Sequence, residues 1–217
     1  MSGGYVLYGA RGSGAVAVEA ALTVAGQPYE LIESYTWDQE HPESGDRVLA
    51  ANPMRQVPAL VLPGGEVMTE SAAILIRLAE LHPQARLGPG PEHPARGQFL
   101  RWMSFVSSAI YALYWVKDDP SRLVPDPAGH AALTKRTLAR IAECWGIMER
   151  QVSTGRYILG DELTVLDLYV ATVSRFRPRR RRFYEVAPGL GEVVRRVDAD
   201  PRLAQLWTDR MGPAEPA

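Results

Sequence analysis

The chain has 217 residues, 46% of them hydrophobic and 23% charged, with a formal net charge of −1. That length is enough for one large domain or two small ones with a sizeable core, and the near-zero charge excludes the electrostatic steering that draws a protein to nucleic acid or to an anionic membrane surface. A single cysteine, Cys144, excludes an intramolecular disulfide and fits a reducing, cytoplasmic setting. No apolar run reaches the ~18 residues of a membrane helix. The first residues lack the basic-then-apolar pattern of a signal peptide, so none is expected.

Tyr5 to Tyr8 reads as a short strand stopped by Gly9. Ser13 to Gly26 is rich in alanine and closed by glycine, which predicts a helix with a C-terminal glycine stop. Pro28 to Glu33 predicts a second strand, parallel to the first and joined to it by a right-handed crossover. A polar, irregular stretch with a helical turn follows. Pro58 to Leu62 and Glu66 to Thr69 are strand-like, and Pro63-Gly64-Gly65 between them signals a hairpin. From Glu70-Ser71 onward, Ile74, Leu75, Leu78 and Leu81 fall at helical spacing. Residues 1–83 therefore predict an α/β domain of order β-α-β-α-β-β-α.

Residues 84–94, dense in proline and glycine, read as a linker. Residues 95–217 contain no convincing strand and predict an all-α helical bundle. A long apolar and aromatic helix spans Pro94 to Asp119, with its aromatic stretch from Trp102 to Trp115. A second helix carries Leu133, Leu138, Ile141, Trp145 and Met148 on a broad stripe. A third runs from Thr164 to Phe176, and one or two more follow Gly189.

Two features near the hairpin carry chemistry. Proline is tolerated at the first residue of a strand, because only interior ladder positions need the N–H. If the Val57-Pro58 bond is cis, the Val57 backbone turns outward and can pair with an extended peptide; a trans edge-strand proline is the plain alternative. At Glu70-Ser71 the first-turn N–H groups carry the positive end of the helix dipole and suit a carboxylate. The Ser71 hydroxyl can join them, and Glu70 can pair with an ammonium. Together they suit an α-amino acid head, although Thr69, Glu70 or Ser71 acting as an ordinary cap explains the same residues.

The combination resembles the glutathione S-transferase family. The stretch from Asn52 to Glu80 has its Asn-Pro, its Val-Pro-Ala-Leu, its hairpin and its Glu-Ser helix start, and Asp161 to Ala171 is similar to the family's C-terminal folding motif, with Thr164 as cap and Asp167 at the capping-box position. The resemblance covers nearly the whole chain. It implies a thioredoxin-like N-terminal domain and a helical C-terminal domain. It implies glutathione as co-substrate, bound by Gln56, Val57, Pro58, Glu70 and Ser71. It implies a hydroxyl in the loop after the first strand that stabilises the thiolate, and Ser13 is the hydroxyl there; a helix-capping role is its alternative. Phe105, Ser108, Tyr111 and Trp115 are the expected wall for a small hydrophobic electrophile, with core packing as the alternative for each. A homodimer is implied, and no metal. The expected activity is conjugation of glutathione to such electrophiles. A non-catalytic binding or regulatory protein of this fold and a glutathione-dependent isomerase or dehalogenase are the alternatives.

Other features read as structural. Gly12-x-Gly14-x-x-Ala17 matches a loose dinucleotide fingerprint, but the further βαβ units that fold needs are missing. The arginines between Arg175 and Arg182 read as a solvated loop or a charged contact patch. The four histidines show no metal-ligand spacing, and Cys144 reads as helix packing.

Overall fold

A computed structural model describes residues 3–38 and 40–212. Strands β1 (Tyr5–Gly9) and β2 (Tyr29–Glu33) flank helix α1 (Ala15–Val24), and β3 (Ala59–Val61) and β4 (Val67–Met68) form the hairpin. The sheet order is β2-β1-β3-β4. β1 runs parallel to β2, with Leu7 opposite Leu31, and antiparallel to β3, with Leu7 opposite Leu60. One parallel crossover followed by antiparallel pairs is the expected β-α-β then β-β-α order. It is not the doubly wound sheet that a dinucleotide fingerprint requires.

Every residue of α1 from Ala15 to Leu22 is buried. A helix apolar on all sides belongs inside a protein rather than on its surface, and α1 packs against both helix α3 (Ser71–Leu81) and helix α7 (Val165–Val173). Gly26, at φ 66°, supplies the left-handed residue that ends α1. Helix α2 (Pro42–Asp46) and a 3₁₀ turn at Arg47–Ala50 fill the connection from β2 to β3.

After α3 the chain makes a short 3₁₀ turn at Pro83–Ala85 and enters α4 (Arg96–Phe105). The predicted aromatic helix is present but not uniform: a π-helical turn at Val106–Tyr111 joins α4 to α5 (Ala112–Asp118). Such a turn inserts extra residues and re-aims the side chains on it. Helices α6 (His130–Glu149), α8 (Arg181–Val186), α9 (Pro188–Asp198) and α10 (Ala204–Met211) complete the bundle. Cys144 is buried on α6, and burial pushes its thiol above the ordinary range.

All nine residues of α7 are buried, so its N-terminal donors cannot turn to water. The capping box meets them. The Thr164 N–H and Oγ1–H both donate to Asp167 Oδ2 at 2.8 Å, and the Ile158 N–H donates to Asp167 Oδ1 at 2.8 Å. Burial still raises the Asp167 carboxyl to about 6.

The arginine run departs from the expected solvated loop. Arg180 is buried; its Nε donates to Ser174 Oγ at 3.0 Å and its Nη2 to the Ala171 carbonyl at 2.6 Å. Arg175 pairs with Asp198 at 2.9 Å, and Arg180 pairs with the same carboxylate. The reason is tertiary: Asp198 on α9 lies opposite the end of α7 and draws two guanidinium groups inward. Arg181 and Arg182 remain on the surface beside Glu185.

Candidate functional site

The approach to β3 is fixed by Asn52, which is buried. Its Nδ2 donates to the Gln56 carbonyl at 2.9 Å and its Oδ1 accepts the Met54 N–H at 3.0 Å. The Val57-Pro58 bond is cis. Val57 precedes the first ladder residue, Ala59, and among the described residues no turn or side-chain hydrogen bond uses its N–H or C=O. Arg55, whose part the sequence leaves open, is a brace: Nε donates to Asp46 at 2.7 Å, and the two Nη groups donate to the carbonyls of Thr36 and Pro42, each at 2.7 Å. It ties the segment around α2 to the start of the Val-Pro stretch.

One hairpin later, Glu70 is exposed and stands at φ 63°, ψ 102°. A side chain in that region is strained and persists where its surroundings dictate it. No side chain caps α3. The ordinary capping explanation of Glu70-Ser71 therefore does not describe this helix start, and its first N–H groups are available to an anion. Ser71 is buried and has a partner the sequence did not announce: its Oγ lies 2.8 Å from Tyr169 Oη on α7. Burial raises the Tyr169 phenol to about 12, so it stays protonated at neutral pH.

The loop before α1 is also more occupied than expected. Ser13 is buried; its Oγ–H donates to the Ala10 carbonyl at 2.7 Å, and its Oγ accepts the Ala15 N–H at 3.2 Å. The Gly12 N–H donates to the Arg210 carbonyl at 2.8 Å, so α10 holds the loop from its far side. Arg11 is exposed.

Of the four aromatic-helix candidates, Tyr111 reaches this loop: its Oη accepts the Gly14 N–H at 3.1 Å. Phe105 packs edge-on against Trp102, Ser108 is exposed and donates to the Ser104 carbonyl, and Trp115 is exposed beneath the Arg122 guanidinium. Sequence reasoning missed Tyr169. The signal for it was a tyrosine in an otherwise apolar, capped helix, since a buried phenol needs a partner. Gly14 carried a second signal, because a Cβ there would lie 2.7 Å from Tyr111 Cε1.

Open backbone at Val57, an uncapped helix N-terminus and an exposed carboxylate at Glu70 suit an extended ligand with both an anionic and a cationic end. Among the described residues no three His, Cys, Asp or Glu side chains gather to hold a metal, and no helix is long and apolar enough to cross a membrane.

A mixed sheet with a cis-proline before β3, joined to an all-helical domain, defines a thioredoxin-like two-part fold. Residues 7–88 match the glutathione S-transferase N-terminal domain and residues 125–209 the glutathione S-transferase C-terminal domain. The chain belongs to the glutathione S-transferase family. It is 28% identical over 200 residues to the GST-like protein YncG of Escherichia coli (strain K12), covering 92% of this chain and 95% of that one. It is 30% identical over 154 residues to a probable maleylacetoacetate isomerase of Caenorhabditis elegans, covering 70% and 69%. A Sulfitobacter glutathione transferase homolog with bound glutathione superposes at a TM-score of 0.84 and 24% identity, covering 97% of this chain and 100% of that one.

Proposed function

We propose that the protein is a cytoplasmic glutathione transferase that joins the sulfur of glutathione to a small hydrophobic electrophile. The observation that carries this reading is the open Val57 backbone one hairpin away from an uncapped helix led by a strained, exposed carboxylate. Val57 N–H and C=O pair with the cysteinyl unit, beside Gln56 and Pro58. Glu70 pairs with the ammonium of the γ-glutamyl head, and the α3 N–H groups receive its carboxylate. Tyr169, protonated and 2.8 Å from Ser71 Oγ, donates to Ser71 and frees the serine's own proton for that same carboxylate.

In the reaction the glutathione thiol gives its proton to solvent. The thiolate lone pair forms a C–S bond, and the leaving group departs with its bonding electrons. Positioning and thiolate stabilisation supply the acceleration. Phe105, Ser108, Tyr111 and Trp115 are candidates for the electrophile's wall. The protein binds no metal in this reading and works as a homodimer.

Retention on immobilised glutathione, turnover of a chlorinated nitroaromatic and a light-scattering mass twice that of one chain are the expected results. A protein that passes through the glutathione matrix unretained sinks the reading. Retention without turnover indicates a binding protein instead. The isomerase relative favours a second reading, glutathione-dependent isomerisation at the same site, which turnover of maleylacetoacetate distinguishes.

A further inference from the structure

We propose that the hydroxyl donated to the glutathione sulfur is that of Tyr111, reaching the α1 N-terminus from the helical domain, and that Ser13 serves as the cap of the loop. The assignment rests on glutathione binding as read above, and it is carried by where the hydroxyl protons point.

Ser13 is committed at both ends of its oxygen. Its proton goes to the Ala10 carbonyl and its lone pair to the Ala15 N–H, and the residue is buried. Reaching a thiolate would mean breaking an internal hydrogen bond. Tyr111 is committed at one end alone. Its Oη accepts the Gly14 N–H, and among the described residues nothing accepts its own proton. It is half-buried, on the π-helical turn Val106–Tyr111, where the altered register aims it at the other domain. Gly14 makes room, since a Cβ there would collide with the Tyr111 hydroxyl and lie 2.7 Å from its ring carbon Cε1. The ring is braced edge-on by Tyr169 at 6.2 Å and tilted on Phe176 at 5.1 Å.

The titratable groups facing it are Tyr169 on α7, Glu70 at the start of α3 and Asp118 on α5. Burial and these neighbours push the Tyr111 phenol above its ordinary range, which keeps it a donor near neutral pH. The positive end of α1 adds to the same effect on a sulfur anion.

The test is the pKa of the bound thiol, read from thiolate absorbance and from the pH profile of kcat/KM. Tyr111→Phe keeps the ring and its packing. It is expected to raise the thiol pKa by about one unit and to lower kcat/KM near neutrality roughly tenfold. A ring-fluorinated tyrosine at position 111, a stronger acid of the same shape, is expected to lower the thiol pKa, which a purely structural role would not do. An unmoved thiol pKa in both Tyr111 variants, or a raised one in Ser13→Ala alone, overturns the assignment. Calorimetry with glutathione separates the two readings: no binding by the wild-type protein overturns the site and this proposal together, whereas binding with a thiol pKa insensitive to Tyr111 overturns the proposal alone.

Discussion

Glu70 is the residue at which local backbone preference and the proposed function diverge most. Its φ of 63° is a conformation that side chains with a Cβ avoid, and holding it there costs on the order of 1–3 kcal/mol. Glycine would relieve that strain, and among the described residues no hydrogen bond or ion pair holds the exposed carboxylate. Glu70→Gly is therefore expected to leave the melting temperature unchanged or raise it, while weakening glutathione binding roughly tenfold to a hundredfold through loss of a charge-assisted hydrogen bond. Thermal unfolding and calorimetry check the two halves. A variant that loses stability and keeps its affinity would place Glu70 in the scaffold instead. The Glu-Ser pair was legible in the sequence, but its geometry was not, because a positive φ is dictated by the hairpin and helix on either side of the residue.

At the scale of elements, α7 shows how a buried helix is started. Asp167 gathers three donors, yet desolvation outweighs them and raises its carboxyl from an ordinary 3.8 to about 6. The sign follows from linkage. The native state holds this proton more tightly than the unfolded chain, so the contribution is fully present below the unfolded value and is lost as pH rises through about 6. Measured against Asp167→Asn, which cannot titrate, the wild-type advantage is expected to shrink by about 2 kcal/mol between pH ~4 and pH ~7. Denaturant midpoints across that range check it, and an advantage that grows with pH contradicts it. The capping box itself was readable from Thr164 and Asp167, since it is set by a three-residue spacing. The π-helical turn in the aromatic helix was not readable, because apolar periodicity is the same on either side of it.

For the whole molecule, one side chain ties helix α10 to the N-terminal domain. Arg210 on α10 donates to Glu19 on α1 at 2.9 Å and pairs with Glu33 at the end of β2. Tyr29 also donates to Glu19, at 3.1 Å. Glu19 and Arg210 are both buried, and removing one partner of such a cluster strands the others. Arg210→Met is expected to destabilise by about 3–5 kcal/mol, or roughly 10 °C in melting temperature for a chain of this size. Burial already raises the Glu19 carboxyl, and without the guanidinium it rises further. The deficit relative to wild type is therefore expected to widen from about pH 5 to about pH 8, as the stranded Glu19 carboxylate is forced to ionise. Melting curves at the two pH values decide this, and a deficit that narrows at the higher pH contradicts it.

The sequence by itself determined the element order, the division into a sheet domain and a helical domain, the cis-proline position and the buried cap of α7. All of these rest on spacing within one segment, where periodicity, turn residues and capping operate. Only the tertiary structure decided which groups meet across segments. It set Tyr169 on Ser71, Tyr111 on Gly14, Asp198 between Arg175 and Arg180, and Arg210 between the buried Glu19 and the half-buried Glu33. Those partners are between 18 and 191 residues apart, and what joins them is the requirement that a polar group taken from water find a complementary one wherever the fold happens to bring it.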